Sequence, residues 1–145
     1  MAPADAASTP FSFVLNERTR ILAVDDDPIQ REFASVYLAS PTTIVDAAES
    51  AEAGLRLLAG NAYDIALVDI DMPGMGGIEM VRIARSTPLL KHLPIVMVTG
   101  CEDILSIDRS FEAGATSFVT KPVNWRLLSY HLRFVLRSMR MNLPA

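Results

Sequence analysis

Four short, mostly apolar runs recur along this chain, and each gives way to a polar residue where it ends. The runs occupy residues 21–24, 65–68, 95–98 and 118–120. The first three are unbroken series of Ile, Leu, Val, Ala and Met, as expected for strands that are buried on both faces. Because parallel strands need crossover connections and these are usually helices, the pattern predicts an α/β fold with helices on both faces of a parallel sheet.

The segments around these runs have helical spacing and helix end signals, which gives five helices alternating with five strands. Pro28 suits the first position of a helix, Ser50 resembles a helix cap, and Gly114 would end the fourth helix. After the first strand, further strands are predicted over residues 42–47, 64–69, 93–99 and 116–120, and a last helix over residues 124–141. The apolar faces of the five helices comprise Ile29, Phe33, Val36 and Tyr37; Ala51, Gly54, Leu55 and Leu58; Ile78 and Val81; Ile104, Ile107 or Asp108, and Phe111; and Leu128, Leu132, Val135 and Met139.

The length of the chain favours a single folded unit. It has 145 residues, 50% of them hydrophobic, which is enough to bury one large core. We expect residues 1–19 to form a flexible tail, residues 20–141 the domain, and residues 142–145 its end. A short apolar stretch interrupts the tail and would dock on the domain or on a partner: Phe11, Phe13, Val14 and Leu15.

The composition excludes several classes of protein. A net charge of -4 without a basic stripe argues against direct binding of nucleic acid. No run approaches the roughly 20 apolar residues that span a bilayer, and the first residues lack an export signal. The lone Cys101 cannot form an internal disulfide and is expected to be a small buried hydrophobe. These features predict a soluble protein of the cytoplasm.

Polar groups of complementary chemistry follow the predicted strands. Asp25 and Asp26 come after the first strand, Asp69 ends the third, Thr99 ends the fourth and Lys121 follows the fifth. The carboxyl ends of parallel strands meet at one edge of a sheet, where ligands bind if the strand order reverses. The sequence therefore predicts one site that contains carboxylates, a hydroxyl and an ammonium group.

Carboxylates crowded at such an edge need a cation. Two of them about 4 Å apart repel each other by around 4 kcal/mol at an effective dielectric near 20. A set of oxygen ligands without Cys or His suits Mg²⁺ better than zinc. Aspartate also accepts phosphoryl groups covalently, a transfer that requires positioning and charge neutralisation. The site is thus equipped to bind a divalent cation and a phosphoryl group.

Four motifs in order resemble the CheY-like receiver domain of two-component response regulators. They are ILAVDDDP at residues 21–28, LVDIDMPGMGG at 67–77, PIVMVTG at 94–100 and KP at 121–122. The resemblance covers residues 20–140. It implies a flavodoxin-like fold with the sheet order 2-1-3-4-5. It also implies that the chain is phosphorylated by a histidine kinase or a histidine phosphotransfer protein. No enzymatic activity is implied beyond self-catalysed phosphoryl transfer and autodephosphorylation.

The resemblance assigns a role to each carboxylate. Asp69 would be the phosphoacceptor. Asp26 and Asp69 would bind Mg²⁺, or Mn²⁺, directly, together with the backbone carbonyl of Asp71. Asp25 would act through water and orient the ion.

The resemblance also assigns the phosphoryl contacts and the switch. Thr99 and Lys121 would hold phosphoryl oxygens, and Phe118 would turn inward as Thr99 moves. A cis peptide bond is implied between Lys121 and Pro122. One position departs from the usual pattern, because Gly76 stands where Asp is common. The position of Asp71 varies within the family, and the residue type there tunes the lifetime of the acyl phosphate.

The end of the chain resembles that of a subset of receivers. Residues 121–137 are similar to the segment that precedes cyclic-di-GMP synthesis or hydrolysis domains, which implies such an output domain as a covalently linked partner. Receivers also pair as homodimers through the face formed by helix four, strand five and helix five. The chain would be a stand-alone receiver or the amino-terminal module of a longer regulator.

Other readings of the same residues remain open. Taken alone, residues 25–27 before Pro28 fit a solvated helix cap as well as a metal site, and Lys121 alone is most often a surface lysine. Asp69-Ile70-Asp71 also resembles the opening of haloacid-dehalogenase-type phosphatases, but that family usually has Thr or Val where Pro73 stands. A binding module that is not phosphorylated is a third reading.

Overall fold

Five parallel strands alternate with five helices in the computed structural model of the chain, which describes residues 18–100 and 103–141. The strands are β1 (Thr19–Val24), β2 (Thr43–Ala48), β3 (Ile65–Asp69), β4 (Ile95–Gly100) and β5 (Ser117–Lys121). The helices are α1 (Pro28–Leu38), α2 (Ala51–Gly60), α3 (Gly77–Arg85), α4 (Ile104–Ala113) and α5 (Trp125–Met141). Within the described ranges, none of the helices combines the length and apolar character needed to cross a membrane.

The strands form one sheet in the order β2-β1-β3-β4-β5, which confirms the predicted fold. Every pairing in it is parallel. β1 comes first in the chain but lies between β2 and β3, so the strand order reverses beside it. Val24 pairs with Val68 in the register of β1 and β3. The residues that follow, Asp25 and Asp69, therefore lie side by side at the carboxyl edge.

Two hydrophobic cores cover the two faces of the sheet. Successive strand residues point to opposite faces, and β1 divides in this way: Leu22 packs in the core that includes α2 and α3, and Ile21 in the core that includes α1 and α5. Each such side chain contributes about 1.5–3 kcal/mol when it is buried. The buried strands therefore support the polar edge rigidly.

The helix end signals act as predicted. Ser50 Oγ accepts a hydrogen bond from the backbone N–H of Ala53 at 3.0 Å and so caps α2. Gly114 ends α4 with a φ of 112°, a left-handed conformation that glycine adopts without a steric penalty. β4 begins at Ile95 rather than at residue 93, because Pro94 has no N–H to contribute to a strand ladder.

The apolar stripe of α1 is exposed, whereas a helix ordinarily turns such a stripe to the core. α1 instead buries Ala34 and Leu38. Most of its circumference is apolar, so periodicity alone does not tell which side packs on the sheet; the smaller Ala34 allows the closer approach. The stripe, which we call the α1 patch, is between 38% and 61% exposed and consists of Ile29, Phe33, Val36 and Tyr37.

The apolar face predicted for α4 is also largely exposed. Ile104 and Phe111 are 64% and 45% exposed, and the buried residue of this helix is Ser110. Ser110 tolerates burial because its hydroxyl donates to the Ser106 carbonyl at 2.8 Å. Phe111 packs edge to face on Phe118 of β5, with ring centroids 5.9 Å apart. In the other helices, the predicted inward residues of α2, α3 and α5 are buried or partly buried.

Several predictions concern residues outside the described ranges. These are the apolar stretch of Phe11, Phe13, Val14 and Leu15, the burial of Cys101, and residues 142–145. Thr19, which the predicted boundary assigns to the tail, is buried and begins β1. The division of the chain otherwise stays a prediction.

Gly77 lies where the start of α3 meets the end of β3. Its N–H donates to the Ile70 carbonyl at 3.1 Å. A Cβ atom added to Gly77 would overlap the carbonyl oxygen of Asp69. The second glycine of the Gly76-Gly77 pair is therefore required by the close approach of two backbone segments.

We expect Gly77→Ala to lower the free energy of unfolding by about 1–3 kcal/mol, because the added methyl group pushes α3 away from the end of β3. Gly60→Ala is the control, since a Cβ there has no described atom within 4 Å. It should leave the free energy of unfolding unchanged or raise it by about 0.4–1 kcal/mol. Urea unfolding measures both variants, and equal stabilities would contradict the steric argument.

Candidate phosphoryl and metal site

Four ionisable side chains meet in an open cleft at the carboxyl edge of the sheet. Asp25 and Asp26 follow β1, Asp69 is the last residue of β3, and Lys121 is the last residue of β5. Together with Asp71 they line a cleft of about 690 Å³. The structure thus brings together the carboxylates and the ammonium group that the sequence analysis assigned to one site.

Asp69 is the buried member of the cluster. Its side chain is 2% exposed, and its Oδ1 atom lies 3.0 Å from Lys121 Nζ. Oδ1 also accepts a hydrogen bond from the backbone N–H of Asp71 at 3.2 Å. Within residues 18–100 and 103–141, the Oδ2 atom accepts no hydrogen bond. One oxygen of Asp69 is therefore held in place while the other remains available for chemistry.

Lys121 supplies the positive charge of the cleft. The Lys121–Pro122 peptide bond is cis, as the resemblance implied. The Lys121 side chain is 38% exposed, so its ammonium group contacts both Asp69 and solvent. Burial lowers the pKa of Lys121, but the bond to Asp69 and the charges of Asp25 and Asp71 outweigh this and raise it. Lys121 is a permanent cation in this cleft.

Burial raises the pKa of two of the carboxylates, Asp25 and Asp69. Burial is the largest cause that raises the pKa of Asp25 to about 6; the charge of Asp69 adds to it, and a hydrogen bond from the backbone N–H of Asp27 opposes it. Burial also raises the pKa of Asp69, against the opposing effect of Lys121. The negative charge at this edge exceeds what Lys121 neutralises, so a bound cation would be favoured.

The donor set fits a hard divalent cation. Asp25, Asp26 and Asp69 each offer a carboxylate oxygen, and these atoms lie within 4.8 Å of one another. Mg²⁺ prefers oxygen ligands and commonly binds through one or two carboxylates while it keeps several waters. The open cleft leaves room for those waters. Asp26 is exposed, and its carboxylate has no hydrogen-bond partner among the described residues.

Asp27 has a structural role instead. Its Oδ1 accepts a hydrogen bond from the backbone N–H of Ile29 at 2.9 Å and caps α1. Its own N–H donates to Asp25 Oδ1 at 2.9 Å. The helix-cap reading of residues 25–27 therefore holds for the last of the three aspartates, while the first two belong to the oxygen cluster with Asp69.

Thr99 and Phe118 lie beside the cleft rather than in it. Thr99 is 1% exposed, and its hydroxyl donates to the Gly100 carbonyl at 3.2 Å. It does not line the cleft formed by Asp69 and Lys121. The Phe118 ring packs against Phe111 of α4. In this conformation, neither of the two predicted switch residues lines the cleft.

Sequence reasoning missed the apolar wall of the cleft. Phe33, Val123 and Trp125 line it on the side of α1 and α5. The Trp125 ring lies 6.2 Å from that of Phe33 and stacks on that of Tyr37 at 6.3 Å. The short distance in sequence between Lys121 and Trp125 was the available signal, but only the seating of α1 reveals which aromatic residues meet there.

Comparison with known proteins agrees with this fold and cleft. The family model of the response regulator receiver domain matches residues 21–133, a segment that contains all of the residues assigned to the cleft.

Curated relatives include proteins with different outputs. Transcriptional regulatory protein CseB of Streptomyces avermitilis is 33% identical over 121 residues, which cover 83% of this chain and 50% of that protein. A Vibrio cholerae protein named "Probable cyclic di-GMP phosphodiesterase" is 36% identical over 120 residues, which cover 83% of this chain and 27% of that protein. The chain therefore spans half or less of the length of these relatives.

A solved structure gives the same result. The crystal structure of a response regulator from Chloroflexus aurantiacus matches with a TM-score of 0.78 and 32% identity, over 83% of this chain and 98% of that one. The strand order, the acidic edge and the family model point to the same conclusion. The chain belongs to the receiver domain family of two-component response regulators.

Proposed function

We propose that this chain is a phosphoacceptor that takes a phosphoryl group on Asp69 from a histidine kinase or a histidine phosphotransfer protein. The observation that carries the proposal is the setting of Asp69: it is buried, lies 3.0 Å from Lys121 and shares an oxygen cluster with Asp25 and Asp26. Nothing else in the described chain combines a held carboxylate, a cation and room for an ion.

The metal ligands proposed are those for which the donor chemistry fits. Asp26 and Asp69 would bind Mg²⁺, or Mn²⁺, through carboxylate oxygens, and the backbone carbonyl of Asp71 would complete the protein ligands. Asp25 would act through water. When bound, the ion supplies positive charge that offsets the charge of the carboxylates and of the incoming phosphoryl group.

The transfer itself uses the available oxygen of Asp69. Oδ2 attacks phosphorus, the P–N bond of the phosphohistidine breaks, and the leaving imidazole keeps the electron pair and takes up a proton. Lys121 exchanges part of its contact with Asp69 for a phosphoryl oxygen, and Thr99 Oγ1 turns from the Gly100 carbonyl to another. Hydrolysis later returns the carboxylate, at a rate tuned by Asp71. We propose no further enzymatic activity for the chain.

Asp69→Asn should abolish labelling by acetyl phosphate and Mg²⁺, since the nucleophilic carboxylate is lost. Lys121→Ala keeps the acceptor and should still be labelled, but with a smaller change in the fluorescence of Trp125, the sole tryptophan. Asp108→Asn, at an exposed position of α4, is the control. Intact-mass spectrometry measures the labelling; one phosphate on the wild type and the control is the expected result.

The phosphatase reading makes a different prediction for the same protein. A haloacid-dehalogenase-type enzyme would hydrolyse phosphate esters over many turnovers, whereas a receiver takes up one phosphoryl group from a small donor. Full labelling of Asp69→Asn, or sustained ester hydrolysis by the wild type, would contradict the proposed function. A wild type that takes no label at all would favour the binding-module reading.

We propose that the phosphoryl donor docks on the α1 patch. The patch is exposed, and Phe33 belongs both to it and to the wall of the cleft, so apolar surface leads directly to Asp69. Exposed apolar clusters beside a reactive site are typical of protein interfaces, in which aromatic residues contribute much of the binding energy. A helix carrying the phosphohistidine would cover the patch as it delivers phosphorus to the cleft.

Val36→Glu tests this docking surface, because Val36 is 61% exposed and does not line the cleft. The donor is a kinase that labels the wild type and is chosen from a purified panel. Phosphoryl transfer from this kinase to Val36→Glu should be roughly tenfold slower, which corresponds to a loss of about 1.4 kcal/mol in binding free energy. Labelling by acetyl phosphate should not change. Leu89→Glu, at a 95% exposed leucine away from the cleft, is the matched control. Equal transfer rates for the two variants would contradict docking on the patch.

The output proposed is a change at the face formed by α4, β5 and α5. Phe118 and Phe111 join α4 to β5 there, and α4 is the helix with the least buried face. Movement of Thr99 toward the phosphoryl group would shift the population of this face toward a second arrangement. The face would serve a homodimer or a covalently linked output domain, for which cyclic-di-GMP turnover is one candidate given the named Vibrio relative. A cytoplasmic location accords with such partners.

A further inference from the structure

Arg31 of α1 reaches back to the acidic loop that precedes its own helix. Its Nη1 atom donates to the backbone carbonyl of Asp25 at 2.8 Å. We propose that Arg31 is a positioning residue for the magnesium site, acting through this carbonyl; the proposal rests on the proposed function.

The bonded carbonyl controls the direction of the next side chain. The carbonyl of Asp25 and the N–H of Asp26 belong to one planar peptide unit, so a contact that fixes the carbonyl also fixes the plane from which Asp26 extends. The other side of Asp25 is held by its N–H, which donates to the Ala48 carbonyl at 3.0 Å. The Asp26 carboxylate has no hydrogen bond of its own within the described ranges, so the backbone is what sets its position.

The contact leaves the metal ligands free. A guanidinium group that paired with Asp25 or Asp26 directly would occupy carboxylate oxygens and compete with an ion. Arg31 binds a backbone oxygen instead and has no salt bridge to a described carboxylate. Arg31 also lines a small cavity together with Asp25 and Trp125. Arg31 therefore supports the loop and leaves the carboxylate oxygens of Asp25 and Asp26 free to bind an ion.

The two ways in which Arg31 could affect the site, as a charge or as a support for the loop, predict opposite changes in Mg²⁺ affinity when Arg31 is replaced. If Arg31 acted only as a nearby positive charge, its removal would strengthen Mg²⁺ binding, because a cation repels a cation. If it orients the loop, its removal would weaken Mg²⁺ binding. If it serves only the stability of α1, the melting temperature would fall and the affinity for Mg²⁺ would stay the same. The sign of the change in affinity separates these roles.

The experiment compares Arg31→Met, which keeps the length of the stem, with Arg31→Lys, which keeps the charge and one donor group. Arg56→Met is the control, since it removes an equal charge from an exposed position on α2. Mg²⁺ titrations followed by Trp125 fluorescence give dissociation constants, and Mn²⁺ binding followed by electron paramagnetic resonance provides a readout independent of Trp125. Thermal unfolding shows that each variant is folded.

Arg31→Met should raise the dissociation constant about tenfold, as is typical when a group that supports metal ligands is lost, and Arg31→Lys should fall between it and the wild type. The control should stay within about twofold, the range of a screened surface charge. An unchanged or lower dissociation constant for Arg31→Met would overturn the proposal, and if that variant does not fold, an unchanged constant for Arg31→Lys would do so. A wild type that binds neither ion would instead contradict the proposed function.

Discussion

The site depends on the repulsion among three carboxylates that the fold forces together at one edge of the sheet. Parallel pairing of β1 with β3 brings Asp25 and Asp26 beside Asp69, and β5 contributes a single cation, Lys121. One ammonium group cannot balance three carboxylates, and burial, with the charge of Asp69 adding to it, raises the pKa of Asp25 to about 6. A divalent cation would offset this excess of negative charge and also the charge that a phosphoryl group adds.

Such an arrangement persists because the sheet beneath it is stable. β1, which leads into Asp25 and Asp26, and β3, which ends in Asp69, are buried almost throughout, whereas β5 is partly buried. The cost of holding like charges close is offset by apolar burial elsewhere, so the polar edge need not stabilise the fold. By contrast, α4 keeps a largely exposed face, so the sheet constrains this helix less.

The strands and the chemistry of the edge were predictable from the sequence, because continuous apolar runs indicate buried parallel strands and the residue after each run is fixed in place by strand geometry. The side of α1 that packs on the sheet was not predictable, because most of that helix is apolar and the small Ala34 decides which side meets the sheet. The contacts of Arg31 and Trp125 were also inaccessible, because both depend on where α1 lies. Helix α4 was misjudged for a related reason: a serine that bonds its own helix can be buried in place of an apolar residue.

The most direct test of the account is a crystal structure of the chain grown with Mg²⁺ and fluoroberyllate, a mimic of the phosphoryl group. We expect beryllium to be bonded to an oxygen of Asp69, Lys121 to contact a fluorine, and Mg²⁺ to be bound by Asp26, Asp69 and the Asp71 carbonyl. Density for the mimic away from Asp69, or an ion bound without Asp26, would contradict it.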